Sequence, residues 1–185
     1  MRAQPGEGWS WRQQDGLNYL VLEAFAQTGL VRHAFSGRCG GTSTFPYASL
    51  NLGLHVGDEV SAVLTNRQRL AAVIGADSAK IVVPAQVHGD QVAVVGQKEQ
   101  GMGAKDLTTT IPGADALVTQ TPGVTLCTFY ADCVPVFILD PVRPAIGLAH
   151  AGWKGTLLKI AGKTLQRMQQ DFGTQPADGV CLPGP

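Results

Sequence analysis

The sequence predicts a mixed α/β domain in which helices cover a β-sheet core. Two apolar runs, Val134 to Leu139 and Ala145 to Ala149, are bounded by turn residues, the pattern of strands buried on both faces. Two other stretches, Val60 to Ile74 and Gly155 to Phe172, repeat their apolar residues at helical spacing. With 185 residues, 44% hydrophobic and 15% charged, the chain is long enough for one substantial core, and residues 1–185 read as a single domain.

Taken in order, residues 1–16 are polar and read as frayed. Leu17 to Leu22 and Leu30 to Phe35 read as strands. The segment SGRCGGTSTFPYASLNLGLHVGDE, residues 36–59, is the longest irregular stretch. Its glycines and small hydroxyl residues allow close backbone approach to a ligand, and loops of this length are uncommon in compact domains unless they serve a function. Val60, Val63, Leu64, Leu70, Ala71 and Ile74 then form the stripe of a helix, with Asp58 placed to cap it and Gly75 to stop it. Arg67 interrupts the stripe and reads as solvated or paired.

Lys80 to Val83 begins a strand that runs on to His88, with Pro84 at an edge or bulge. Gly89-Asp90 would turn it into a hairpin partner, Gln91 to Val95. Residues 97–112 are polar, rich in Gly and Thr, and read as mobile. Asp115 to Thr119 restarts the sheet, and Thr121-Pro122-Gly123 turns the chain towards Cys127 and Cys133. Leu157, Ala161, Leu165, Met168 and Phe172 share one face of the second helix. Gly179 to Leu182 begins a last strand. There is no internal repeat and no low-complexity segment.

Charge and composition exclude several classes. The 14 basic and 14 acidic residues balance, without the basic patch of a nucleic-acid binder or the run of a charged tail. No segment is apolar for long enough to span a membrane. The opening MRAQPGEGWSWRQQDG lacks the apolar stretch of a secretion signal, and the four cysteines form no CxxC pair. Together these read as reduced thiols in a cytoplasmic protein.

His88, Cys133 and His150 stand at the ends of predicted strands. A thiolate and two imidazoles suit zinc and leave a fourth position for water or substrate. No short metal-binding motif is present, so a second reading stands beside it, with Cys133 as nucleophile and His150 as base. Cys127 and Cys181 lie in apolar runs and read as structural; Cys39 lies in the glycine loop. His33 reads as packing, and His55 as a group supporting the ligands from behind or merely a loop residue. In HAGWKGT, the start of a helix after His150 suits a bound phosphate or polarised oxygen, or an ordinary strand-to-helix turn.

The pieces SGRCGGTS, YASLNLGLHVGD, QVHGDQV, ADALVT, YADCVPVFILDP and AIGLAHAGWKGT resemble the laccase-domain, or YfiH-like, family over about residues 30–185. The resemblance implies a cytoplasmic protein of the YfiH-like laccase-domain fold. It implies zinc-dependent phosphorolysis of purine nucleosides, methylthioadenosine included, and deamination of adenosine. The family was formerly described as copper polyphenol oxidases, which leaves a laccase-like copper enzyme as the alternative, and a nucleoside-binding fragment without turnover as another. The implied metal ligands are His88, Cys133 and His150, and the implied partners are purine nucleosides and phosphate. On residue type and position, Asp132 is the candidate general acid/base, or a carboxylate orienting a histidine. Arg38 and Asn51 are candidates for holding ribose or phosphate, and Lys154 for adding charge near the helix start. Two departures are visible: Gly37 stands before Arg38 where the family usually has a Thr or similar residue, and family chains continue past the Gly-Pro near residue 185, so the sequence reads as either a natural short form or a fragment without the family's C-terminal segment.

Overall fold

The structure, a computed structural model, describes residues 8–184. The chain forms two compact units, divided between Ser78 and Ala79. The mixed α/β expectation holds, with a multi-stranded sheet covered by helix.

In the first unit, β1 (Trp9–Gln14), β2 (Leu17–Leu22) and β3 (Phe35–Ser36) form an antiparallel sheet in that order. Residues 9–14 are thus a strand rather than a frayed end; the reading of residues 1–7 lies outside the described residues. Asp15 and Gly16 both take positive φ, 49° and 79°, as a two-residue hairpin turn of matching twist requires. Past Trp9 the strand is mostly exposed, which is why it carries no apolar signal. The expected strand at 30–35 is short, limited to Phe35–Ser36. A single turn, α1 (Glu23–Ala26), follows β2.

Helix α2 (Val60–Val73) ends as expected, with Gly75 at φ 64°. Its start differs: Glu59 holds the cap position without a side-chain bond, and Asp58 instead accepts from Asn51 Nδ2 at 2.9 Å. The buried face also differs, because it carries Asn66 and Arg67 between Val63 and Ala71, while Val60 is exposed. These two polar residues organise the long loop. Asn66 Nδ2 donates to Ser43 Oγ, Ser49 O and Asn51 O at 2.9, 3.2 and 2.9 Å, and Asn66 Oδ1 accepts from Thr42 N at 2.8 Å. Arg67 Nε donates to Leu52 O at 2.8 Å. Buried backbone groups that no strand serves are satisfied by side chains of the helix. Gly41 is required at this approach, since a Cβ there would lie 2.0 Å from Ser49 O.

The second unit is built on a five-stranded sheet of order β10-β8-β9-β6-β5. These strands are β5 (Val92–Val94), β6 (Ala116–Thr119), β8 (Val134–Asp140), β9 (Ala145–Ala151) and β10 (Val180–Pro183). All neighbours are antiparallel except β5 and β6. A separate parallel pair joins β4 (Ile81–Val82) to β7 (Thr125–Leu126). The expected strand to His88 therefore stops at Val82, and β5 pairs with β6 rather than forming a hairpin with it.

Helix α4 (Ile160–Phe172) covers one face of the sheet. Ile160 and Met168 pack there with Ala116, Val118, Val136, Ile138 and Ala149. Gly147 permits the close approach, because a Cβ would lie 3.0 Å from Met168 Sδ. Leu117, one residue out of phase, joins Val82, Val95, Ile111, Ala114 and Val124 on the opposite face. This second layer includes the stretch expected to be mobile. Ala104 and Ile111 are buried, and backbone bonds Val83 N–Met102 O and Ile111 N–Val83 O, at 2.9 and 3.0 Å, tie it down. The predicted helix from Gly155 is two helices, α3 (Trp153–Leu157) and α4, separated by Lys159 at φ 62°. Cys181 lies on the edge strand β10 and is exposed rather than structural.

Candidate metal centre

Three expected residues converge. The ligating atoms of His88, Cys133 and His150 all lie within 4.8 Å of one another. In tetrahedral zinc sites, with Zn–S about 2.3 Å and Zn–N about 2.0–2.1 Å, ligand atoms stand roughly 3.3–3.7 Å apart, so these three groups would need to draw together by no more than on the order of 1 Å to hold such an ion. Their burial is graded: His150 is buried, Cys133 half-buried and His88 exposed, so the cluster opens to solvent on the His88 side.

Each residue is placed by a different device. Cys133 immediately precedes β8, and His150 lies near the end of β9, opposite Pro135 in the antiparallel register. The two strands therefore bring thiol and imidazole to the same end of the sheet. His88 comes instead from a loop. Gln86 and His88 both take positive φ, 50° and 58°, unusual for residues with side chains. The loop holds this shape around a carboxylate. Asp115, completely buried, accepts the backbone N–H of Val87, His88 and Gly89 at 3.1, 2.9 and 2.7 Å. Its Oδ1 also lies 3.0 Å from His150 Nδ1, and its backbone oxygen accepts from His150 N at 2.8 Å.

Gln86 ties this loop to the one leading to Cys133. Its side chain donates to Phe129 O at 2.8 Å and accepts from Phe129 N at 2.9 Å. Tyr130 then packs on His150, with ring centroids 5.6 Å apart. Burial pushes the Tyr130 phenol well above its usual range, against the lowering effect of the Thr128 hydroxyl 2.6 Å away. The phenol keeps its proton and donates to Ala149 O at 3.2 Å. The rings of His88 and His150 meet edge to face at 4.9 Å. Gly152 completes the wall: a Cβ there would lie 3.1 Å from Cys133 Sγ and 3.2 Å from His88 Cδ2.

Asp132 is exposed beside Cys133, and its carboxylate makes no hydrogen bond among the described residues. Lys154 is exposed on α3, which at five residues carries little helix dipole. Arg38 and Asn51 belong to the first unit. The Arg38 guanidinium donates to Ala48 O at 2.9 Å, and the Asn51 amide donates to Asp58 and Gly53 O and accepts from Gly53 N. Of the remaining histidines, His33 accepts from Leu22 N at 2.7 Å and packs on Phe25, while His55 lies exposed in a short 3-10 turn. The residue that sequence reasoning missed is Asp115. Its signal was a lone carboxylate opening the otherwise apolar ADALVT.

The second unit is thus an α/β scaffold that gathers one thiol and two imidazoles, a set that could hold a metal ion. Residues 32–185 match the family described as multi-copper polyphenol oxidoreductase laccase, and the chain belongs to that family. The purine nucleoside phosphorylase YlmD of Geobacillus stearothermophilus is 42% identical over 173 residues, 94% of this chain and 63% of that protein. YlmD of Bacillus subtilis, also a purine nucleoside phosphorylase, is 36% identical over 90% of this chain and 61% of its own length. The crystal structure of YlmD from G. stearothermophilus superposes with a TM-score of 0.87 at 39% identity, over 95% of this chain and 64% of that one. The Bacillus licheniformis protein YfiH superposes with a TM-score of 0.88 at 36% identity, with the same coverage. The chain spans less than two thirds of the length of these relatives. No helix among the described residues is long and apolar enough to cross a membrane.

Proposed function

We propose that the protein is a zinc-dependent purine nucleoside phosphorylase that also cleaves methylthioadenosine and deaminates adenosine. The convergence of His88, Cys133 and His150 within 4.8 Å carries the reading, and the purine nucleoside phosphorylases among its relatives support the substrate class. The donor set fits zinc: one soft thiolate, two imidazoles and one open position. When bound, the ion supplies Lewis acidity at the solvent-facing side of the cluster.

In phosphorolysis a phosphate oxygen forms a bond to the ribose C1′ as the C1′–N9 bond breaks. The bonding pair goes to the purine, which then takes up a proton. Asp132, exposed and without a competing partner among the described residues, is the group assigned to proton transfer. Arg38 and Asn51 are assigned to ribose or phosphate, and Lys154 to added positive charge. In deamination, water attacks C6 of adenosine and ammonia leaves, with Asp132 again moving the proton.

Copper is the second reading, because the same soft thiolate and imidazoles bind it and the family description names it. The chain holds four histidines, and His88 and His150 are already in the cluster. The described residues thus supply one site, short of the several coppers of a true laccase. Protein purified without added copper is assayed for metal content and for release of free base from inosine, guanosine, adenosine and methylthioadenosine with phosphate. Zinc with phosphorolysis supports the proposal. Stoichiometric copper with phenol oxidation replaces it, and nucleoside-induced thermal shifts without turnover reduce it to binding.

A further inference from the structure

We infer that Asp115 is the positioning residue of the centre: it fixes the tautomer of His150 and, through the same carboxylate, the loop that carries His88. The inference rests on the metal reading above and concerns how the ligands are made ready.

Asp115 Oδ1 lies 2.9 Å from the backbone nitrogen of His88 and 3.0 Å from His150 Nδ1. Oδ2 lies 3.1 Å from Val87 N and 2.7 Å from Gly89 N. A carboxylate offers about four lone-pair positions on its two oxygens. Three are taken by backbone N–H groups, which can only donate. The fourth contact is the imidazole, and a carboxylate, which carries no proton, has only acceptance to offer it. His150 Nδ1 therefore carries the ring proton, and Nε2 is left bare as the metal-binding atom. The side chains of Asp115 and His150 are 0% and 4% exposed, so water does not compete for these bonds.

The same oxygen serves both residues. Oδ1 receives the backbone of His88 and the ring of His150, so orienting one ligand and placing the other are a single event. The positive φ values at Gln86 and His88 turn three successive N–H groups towards one carboxylate, a concave array that favours an anion at its centre. Remove the anion and the strained loop loses what holds it, while His150 becomes free to exchange tautomers.

Asn is the discriminating replacement, because it keeps size and shape. Its amide has one acceptor oxygen and one NH₂ group. Whichever way it lies, two of the four N–H donors meet another donor. Where the NH₂ faces His150, the ring must turn Nδ1 into an acceptor, which puts the proton on Nε2.

The test uses the 185-residue chain with ¹⁵N-labelled histidine, freed of metal and held at about pH 8, where free imidazoles are neutral. Long-range ¹⁵N–¹H spectra report the tautomer of His150, and competition with a chromogenic chelator reports zinc affinity. The expected result is the Nδ1–H tautomer in the wild-type chain. In Asp115→Asn the Nε2–H fraction should rise and zinc affinity should fall about 10–100-fold. A residue that only stabilised the fold would lower the unfolding midpoint and leave the tautomer of the folded population unchanged. The wild-type spectrum decides even where the variant fails to fold: Nε2–H on His150 overturns the inference. A folded Asp115→Asn with unchanged tautomer and unchanged zinc affinity overturns it as well. If the wild-type chain shows Nδ1–H and yet binds no zinc, the metal reading is what has failed, and Asp115 loses its assigned role with it.

Discussion

Asp115 and His150 stand 3.0 Å apart, carboxylate oxygen to Nδ1, with both side chains withdrawn from solvent. The contact is repeated in the main chain, where His150 N donates to Asp115 O at 2.8 Å. The residue immediately before β6 therefore helps set both the position of β9 and the direction of the imidazole that β9 carries. A centre assembled in this way exists only once the sheet has formed, and its ligands can be probed separately from its frame.

Gly152→Ala probes the ligands from the side. Gly152 has φ −70°, which alanine adopts without strain. Its new Cβ would nonetheless press on Cys133 Sγ and His88 Cδ2, at 3.1 and 3.2 Å. Zinc affinity should fall by roughly the 10–100-fold expected when a ligand's surroundings are disturbed. Global stability of the metal-free chain should change by less than about 1 kcal/mol. Chemical denaturation beside zinc titration checks both. Unchanged affinity would mean that the cluster has more room than its geometry indicates.

Asp132→Asn separates two roles for that carboxylate. If it moves protons, zinc content stays near normal and turnover falls by about 10²–10⁴-fold. If it orients a histidine, zinc affinity weakens by about 10–100-fold instead. Its exposure and lack of a partner among the described residues favour the first outcome. Metal content and initial rates on one preparation tell them apart.

Asn66→Ala tests the frame of the long loop. The variant deletes the amide that Ser43, Thr42, Ser49 and Asn51 bond to inside the first unit. Leaving buried groups unpaired costs about 1–3 kcal/mol each, partly recovered by relaxation. A loss of about 2–4 kcal/mol in urea unfolding is expected, with faster amide exchange at Thr42. A loss below about 0.5 kcal/mol would show that the loop is held by other bonds.

The legible and illegible parts of the molecule divide along physical lines. Strands β8 and β9 are buried on both faces, so unbroken apolar runs announced them. Cys133 and His150 at their ends followed from the same pattern. β1 is polar along most of its length, and only the Asp15-Gly16 turn signalled it. The long loop's order depends on Asn66 and Arg67, which break an apolar stripe: Arg67 reads as solvated or paired, and no local pattern points to Asn66. The division between α3 and α4 rests on one left-handed residue, Lys159, inside a continuous helical pattern. Asp115 was hidden for a related reason: its partners are three backbone N–H groups and a histidine 35 residues away. Such pairing is a property of the folded chain, with no local spacing to reveal it.

The central claim is tested most directly by Cys133→Ala, with zinc content and inosine phosphorolysis measured on the same preparations as wild type. The substitution removes the anionic member of the cluster from a half-buried position just before β8, so the sheet should persist by circular dichroism. The account predicts about one zinc per wild-type chain, and a folded variant that has lost both metal and phosphorolysis. A folded Cys133→Ala protein that keeps full zinc and full activity would contradict it.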